Sequence, residues 1–176
     1  PATLDAEELI KMNKSGEIVS ELTNKNDTIL VAIDGMSSSG KTTLSGLLGD
    51  IYDCNIFHMD DFFLTPELKT EERMLEVGGN VDYERFNNEV INGLNSRKQF
   101  TYRKYNCQTD SFSNEINVDP KKLNIIEGAY SMHKTLIDNY HLKIYLHVDP
   151  EIQSERILNR NGKAMHKKFV DLWIPL

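Results

Sequence analysis

The chain has 176 residues, of which 39% are hydrophobic and 27% charged, and this suits one globular domain with a sizeable core. Its net charge of −7 and pI of about 5.2 argue against general nucleic-acid or membrane-surface binding, because both need a basic footprint. No apolar run approaches the roughly 20 residues of a membrane span, and no signal peptide is visible. We therefore expect a cytoplasmic protein without nucleic-acid or membrane partners, with Cys54 and Cys107 as free thiols and homo-oligomer formation left open.

The apolar pattern predicts short strands that alternate with helices. Continuous apolar runs, which suit strands covered on both faces, occur at 28–34, 55–60, 122–128 and 142–149. Helical spacing occurs within 1–24, over 42–52, 83–95 and 131–140, and from Pro150 onward, with Asp149 as candidate N-cap. Two polar stretches interrupt this order, and they are expected to be a loop or lid-like excursion over 64–81 and an irregular hairpin over 99–118.

This alternation of strands and helices predicts an α/β domain with a mostly parallel sheet. We interpret residues 1–176 as one such domain, with an N-terminal helix in 1–24 and lid-like helices in 150–176. A sheet of this kind is expected to be closed by one further strand, and the sequence ends before that final strand.

The turn after the first predicted strand carries the most specific motif. It reads GMSSSGKT from Gly35 to Thr42 and matches G-x-x-x-x-G-K-[ST] in full. The glycines let the backbone turn tightly toward phosphates, and the helix that follows presents its positive end. In such loops the lysine, here Lys41, reaches the β- and γ-phosphates, and the last hydroxyl, here of Thr42, ligates Mg²⁺. The motif therefore predicts binding of ATP or GTP with Mg²⁺ by Gly35, Met36, Ser37, Ser38, Ser39, Gly40, Lys41, Thr42 and Thr43.

A GTPase is not supported by the rest of the sequence. The stretch NKND at 24–27 superficially matches the guanine-reading N-K-x-D pattern, but it precedes the phosphate loop instead of following it by several elements. No D-x-x-G switch motif occurs downstream of the loop. We interpret NKND as a polar turn before the first strand and discard the GTPase.

Acidic residues follow two of the predicted strands. Parallel strands joined by a crossover helix end at the same edge of the sheet, so Asp60 in HMDDFF (58–63) should lie near the phosphate loop. A carboxylate there can accept the proton of an attacking hydroxyl, whereas the alternative is a cap at the strand end. Asp61 should face the helix layer or solvent, and His58 is interpreted as a packed strand residue. Glu127, which ends the strand in NIIEG, is expected to hold Mg²⁺ directly or through water.

Six segments, in this order and spacing, resemble the uridine kinase family of P-loop kinases, whose relatives include nicotinamide riboside kinases and phosphoribulokinases. They are GMSSSGKTTL, FHMDDFF, NVDYERF, YRKYNCQT, NIIEGAY and YLHVDPEIQSERILNR, and they extend over roughly residues 28–170. The resemblance implies a three-layer αβα P-loop NTPase fold of the nucleoside-kinase type. It also implies transfer of the γ-phosphoryl group of ATP, with Mg²⁺, to the 5′-hydroxyl of a nucleoside of the uridine or cytidine type.

The resemblance assigns the reacting groups as well. It implies that Asp60 activates the nucleoside 5′-hydroxyl and that Glu127 is the family acid after the third strand. Arg156 and Arg160 fall where the family carries lid arginines that clamp the phosphates, and Arg156 is the preferred one. A helix would put both arginines on one face, and the alternative is a solvated face paired with Glu155.

On the acceptor side, which includes 64–81 and 99–118, the resemblance implies contacts from Tyr105 and, as weaker candidates, Tyr83 and Arg103. For the tyrosines the alternative is packing in the core or the hairpin. Two departures concern the acceptor base: DDFF stands where uridine kinases read Asp-Ser-Phe-Tyr, and Thr109 and Asp110 stand where a histidine is usual. The first departure is more similar to nicotinamide riboside kinases.

Three alternatives stay open at this point. The first is a kinase for another acceptor, such as a nicotinamide riboside, a sugar phosphate or a pantothenate-like alcohol. The second is an ATP-binding regulatory or assembly protein without phosphoryl transfer. The third is a plain ATPase, which would consume ATP without any dependence on an acceptor.

Overall fold

The structure, a computed structural model, describes residues Glu17, Leu22 and 28–174. In chain order the strands are β1 (Ile29–Gly35), β2 (Cys54–His58), β3 (Phe100–Tyr102), β4 (Tyr105–Asn106), β5 (Ser111–Phe112), β6 (Ile116–Val118), β7 (Leu123–Glu127) and β8 (Leu142–Leu146). The helices are α1 (Lys41–Ile51), α2 (Glu71–Met74), α3 (Tyr83–Phe86, continued by the π-helical Asn87–Ile91 and by Asn92–Ser96) and α4 (Pro150–Lys168), which a π-helical turn at Phe169–Trp173 extends. Short 3₁₀ turns occur at Met59–Asp61, Pro66–Leu68 and Ile137–Asn139.

The central sheet contains four parallel strands in the order β2-β7-β1-β8. Both inner strands are flanked by a strand on each side, and all five residues of β7 are buried. This explains the continuous apolar runs of the sequence. The register puts His58, Glu127 and Ile33 side by side on three neighbouring strands. The carboxyl ends of β2, β7 and β1 therefore meet at one edge.

Alternate residues of β1 pack into two separate layers. Ile29, Val31 and Ile33 pack with Leu44 and Leu48 of α1. Leu30 and Ala32 point to the opposite face and join an aromatic cluster that includes Phe57, Phe62, Phe86 and Tyr102. Helices thus cover both faces of the sheet, which confirms the predicted three-layer αβα fold.

Most predicted elements are found within one or two residues of their predicted bounds. The hairpin over 99–118 consists of two ribbons, β3 with β6 and β4 with β5. The 64–81 excursion contains α2 and one 3₁₀ turn. The helix predicted in 1–24 lies outside the described residues, apart from helical positions at Glu17 and Leu22. Within the described part of the chain, no helix is long and apolar enough to cross a membrane.

The helix predicted over 131–140 is wrong. This segment forms successive turns and a single 3₁₀ turn at Ile137–Asn139. The N–H of Met132 donates to the carboxylate of Asp34 at 2.9 Å, and that of Leu136 donates to the carbonyl three residues before it. The N–H groups of Leu136 and Asn139 bond three residues back, so successive tight turns replace the predicted α-helix.

Helix α4 reverses direction at Gly162, where φ is 74° and ψ is 172°. The side chains of Ser154 and His166 hydrogen bond at 2.7 Å although they are 12 positions apart. In a straight helix they would be separated by about 18 Å. The two halves of α4 consequently lie against each other.

Candidate active site

The phosphate loop joins β1 to α1, and its backbone conformation requires glycine at two positions. Gly35 has a φ of 140°, and a Cβ there would lie 2.1 Å from the carbonyl oxygen of Leu146 at the end of β8. Gly40 has a φ of 98° and immediately precedes α1. Both positions exclude ordinary L side chains, so the motif glycines are required by the backbone itself.

Lys41 folds back over the loop. Its ammonium group donates to the carbonyl oxygens of Gly35 and Met36, each at 2.9 Å. Burial lowers the pKa of Lys41, while the nearby carboxylates of Asp34, Glu127 and Asp60 oppose that change. A partly desolvated cation held by carbonyl oxygens is prepared to bind an anion.

Glu127 connects the loop helix to the second strand. Its Oε1 lies 2.5 Å from Nδ1 of His58, and the Thr42 hydroxyl donates to its two oxygens at 3.3 and 3.4 Å. The hydrogen bond to Glu127 raises the pKa of His58, although burial acts to lower it. The sequence analysis did not predict the contact between His58 and Glu127. A usable signal was present, because each residue is the last of a strand and the two strands are parallel neighbours.

The residues at this edge fit Mg²⁺. Thr42 and Glu127 offer only oxygen atoms, which are the ligands that Mg²⁺ prefers. Among the described residues, no group of three or more His, Cys, Asp and Glu side chains is arranged to hold a metal. Mg²⁺ in kinase sites is usually held by one or two protein ligands together with substrate phosphates and water, and this arrangement matches that pattern.

Two acids leave β2 in the 3₁₀ turn Met59–Asp61. Asp60 opens to solvent, yet the surrounding protein removes enough of its hydration that burial raises its pKa, and the Glu127 charge adds to this effect. The positive charge of Lys41 lowers the pKa of Asp60, so this carboxylate is close enough to the phosphate loop to interact with its lysine.

Asp61 departs from its predicted orientation. Its carboxylate pairs with the ammonium group of Lys104 at 2.9 Å, between β3 and β4. The expectation that it faces the helix layer or solvent is wrong, because the alternation of a strand ends at His58 and a 3₁₀ turn follows. Asp61 thus attaches the turn to the predicted acceptor side.

The first half of α4 docks on the phosphate loop. Gln153, which is only 3% exposed, donates to the carbonyl oxygen of Ser37 at 3.1 Å. Arg156 donates to the carbonyl oxygen of Ser38 at 3.4 Å. Arg160 bonds to Asn161 at 2.7 Å, and its charge contributes to the lowered pKa of Lys41. Sequence reasoning had no signal for Gln153, since a polar helical residue is normally exposed.

Tyr83 is buried and both faces of its ring are covered. The guanidinium carbon of Arg73 lies 3.7 Å from the ring centroid, and the ring of His133 stacks at 4.1 Å. The hydroxyl donates to Glu76 at 3.0 Å. Tyr83 therefore joins the 64–81 excursion to the turn after β7.

Tyr105 and Arg103 belong to the small ribbons. The Tyr105 hydroxyl donates to Asp110 at 2.5 Å, and this hydrogen bond raises the pKa of Tyr105 to about 12. Arg103 is exposed, and its guanidinium group lies 4.8 Å from the ring centroid of Phe112. Arg85 donates to the carbonyl oxygens of Arg103 and Asp61, at 2.7 and 3.1 Å, so the ribbons are fixed to the turn that carries the acids.

Comparison with protein families identifies this arrangement. The model of the Phosphoribulokinase / Uridine kinase family matches residues 30–165. The chain belongs to this family. It is therefore a kinase with a P-loop nucleotide site, and the predicted family resemblance is confirmed.

Solved structures agree on the fold. One similar protein is a possible uridine kinase from Bacillus stearothermophilus, with 23% identity, a TM-score of 0.69, and coverage of 94% of this chain and 93% of the other. Another, described as a fructose transport system kinase from Silicibacter sp. TM1040, has 21% identity, a TM-score of 0.72, and coverage of 91% and 88%. A comparison with curated protein sequences gave no significant match. At these identities the structural similarity establishes the fold alone.

Proposed function

We propose that the protein transfers the γ-phosphoryl group of ATP to the 5′-hydroxyl of a nucleoside of the uridine or cytidine type. The grouping of Asp60, Lys41 and the Thr42–Glu127 pair at one edge of the sheet carries the phosphoryl-transfer part of this proposal. The nucleoside acceptor rests on the sequence resemblance. Each group matches one requirement of phosphoryl transfer, which depends mainly on positioning and charge stabilisation. Membership of a kinase family supports the same reaction class.

On the nucleotide side, Lys41 would exchange the carbonyl oxygens of Gly35 and Met36 for phosphate oxygens. Thr42 and Glu127 would hold Mg²⁺, which when bound neutralises charge on the phosphates. Arg156 would turn from the carbonyl of Ser38 toward the phosphates, with Arg160 on the same half of α4. These cations would stabilise the charge that develops on the transferred group.

On the acceptor side, Asp60 would take the proton of the attacking hydroxyl. The acceptor O–H bond breaks, a bond forms between that oxygen and the γ-phosphorus, and the bond to the leaving ADP oxygen breaks. The raised pKa of Asp60 makes its carboxylate a stronger base than an ordinary aspartate. Tyr105, Tyr83 and Arg103 would shape the acceptor pocket, with Tyr83 doing so by fixing the 64–81 excursion.

Nicotinamide riboside is a second candidate acceptor. The DDFF sequence, which is similar to that of nicotinamide riboside kinases, supports the same acceptor.

The test is ADP release from Mg-ATP with and without uridine, cytidine, nicotinamide riboside, fructose, simple sugar phosphates and pantothenate. Stimulation by uridine or cytidine is the expected result, and stimulation by another compound would replace the proposed acceptor. A rate of ADP release that is the same with and without every acceptor would indicate an ATPase. Bound ATP without any ADP release would favour a regulatory protein.

A further inference from the structure

Asp34, the residue before the phosphate loop, holds two distant parts of the chain together. Its Oδ1 accepts the N–H of Gly35 at 2.6 Å and that of Tyr130 at 3.1 Å, and its Oδ2 accepts the N–H of Met132 at 2.9 Å. Hydrogen bonds to a charged acceptor are stronger than those between neutral groups. One carboxylate thus fixes the start of the loop and the turn after β7, residues 128–133.

That turn contacts the acceptor-side excursion directly at Gly78 and indirectly through Tyr83, whose hydroxyl donates to Glu76. The ring of Tyr130 lies so close to Gly78 that a Cβ on Gly78 would be 2.9 Å from it. The ring of His133 stacks on Tyr83. Tyr130 has a φ of 65°, a conformation that a side chain of this size rarely adopts unless its surroundings hold it there. The Asp34 hydrogen bonds supply that restraint.

At the other end, Asp34 lies beside the residue whose carbonyl oxygen Lys41 contacts. Lys41 donates to the carbonyl oxygens of Gly35 and Met36, and Asp34 is the foremost of the carboxylates that act on its charge. If phosphates took the ammonium group, those carbonyl oxygens would lose their donor while the N–H of Gly35 remained on Asp34. Gly35 alone would then connect a change of partner at Lys41 to Asp34.

We propose that Asp34 is a positioning residue that couples occupancy of the phosphate loop to order in residues 128–133 and 64–81. Nucleotide binding would fix the turn through Asp34, and the turn would fix the excursion through Tyr130 and His133. The consequence for acceptor binding rests on the proposed function. The coupling itself is a property of the fold and can be measured without an acceptor.

The experiment is amide hydrogen exchange of the full chain, read by mass spectrometry, with and without a non-hydrolysable ATP analogue and Mg²⁺. In the wild type the analogue should slow exchange in 128–133 and in 64–81. Asp34→Asn is compared with the wild type at a saturating analogue concentration, so that a change in analogue affinity does not enter the comparison. Exchange at Tyr130 and Met132 should become about tenfold faster, equivalent to about 1.4 kcal/mol, and should no longer respond to the analogue.

Asp53→Asn is the matched control, because this exposed carboxylate pairs with Lys121 before β7, away from the phosphate loop. It should behave as the wild type does. Tyr130→Gly is the second variant, since glycine accepts the positive φ and keeps the N–H that Asp34 binds. It should retain the nucleotide response in 128–133 and weaken it in 64–81, where the contact of His133 with Tyr83 remains.

A wild type without nucleotide-dependent protection would overturn the proposal, and so would an Asp34→Asn variant that keeps this protection. A Tyr130→Gly variant that protects 64–81 as strongly as the wild type does would also overturn it. Intact coupling in a protein that phosphorylates neither uridine nor cytidine would leave the inference standing and refute the proposed acceptor alone. If the protein is active, Asp34→Asn should raise the acceptor KM several-fold more than the ATP KM.

Discussion

Replacing Asp60 by Asn tests the assignment of the proton acceptor most directly. The amide cannot take a proton at neutral pH, so turnover should fall by about 10²–10⁴-fold, or about 2.7–5.5 kcal/mol of transition-state stabilisation. ATP affinity should move in the opposite direction. Two unit negative charges about 4 Å apart in water repel each other by about 1 kcal/mol, so losing this carboxylate should tighten ATP binding by at most about fivefold.

The assay combines turnover with the active acceptor, calorimetric titration of an ATP analogue, and a pH profile of kcat/KM. Because a base must be deprotonated to act, activity should fall as pH drops through the raised pKa of Asp60, and the variant should lack that decline. Asp61→Asn is the matched control, since its neighbouring carboxylate pairs with Lys104. A loss below tenfold for Asp60→Asn, or an equal loss for Asp61→Asn, would refute the reasoning.

Four further outcomes follow from single contacts. Glu127→Gln should weaken the apparent Mg²⁺ affinity by about 10–100-fold in an activity titration, and an unchanged Mg²⁺ dependence would remove Glu127 from the metal site. The pKa of His58 is raised, so its bond to Glu127 stabilises the fold fully below about pH 6.5, and this stabilisation is lost as the pH rises through the pKa of the folded state. In urea unfolding, the stability of His58→Gln should therefore approach that of the wild type at higher pH. The difference at low pH should stay under about 1 kcal/mol, because the side chain is partly exposed. Gly35→Ala should cost about 3 kcal/mol in the same assay, since its Cβ would collide with a carbonyl oxygen of β8, and a well-folded variant of equal stability would contradict this geometry. Tyr140→Phe should leave the unfolding free energy unchanged or raise it by up to about 1 kcal/mol, because the buried hydroxyl has no hydrogen-bond partner among the described residues, whereas a clear loss would reveal one.

The sheet and the phosphate loop could be predicted because local sequence determines them. Strands buried on both faces must be apolar along their length, and the loop requires glycine at Gly35 and Gly40 for steric reasons. Two parallel strands joined by a helix must end at the same edge, and this placed Asp60 and Glu127 near Lys41 without any structure.

The remaining features depend on contacts between residues far apart in the chain. The turns that replace the predicted 131–140 helix are attached through the N–H of Met132 to Asp34, about a hundred residues earlier. The Asp61–Lys104 pair depends on how the ribbons fold over the turn, and nothing in the local sequence fixes that packing. The local sequence predicts Gln153 to be a surface residue, and only the packing of α4 on the phosphate loop buries it. Periodicity describes each element separately, whereas these residues act between elements.

The reversal of α4 at Gly162 has a consequence for how distance along the chain relates to distance in the molecule. The Ser154–His166 bond brings the second half of α4 beside the turn that holds Gln153 and Arg156. A disturbance near His166 therefore has one hydrogen bond to cross, not twelve residues of helix, before it reaches the turns that touch the phosphate loop. A peptide tag, a proteolytic cut or a substitution near His166 is therefore close in space to the nucleotide site. If it changes the kinetics, the change should be attributed to that short distance.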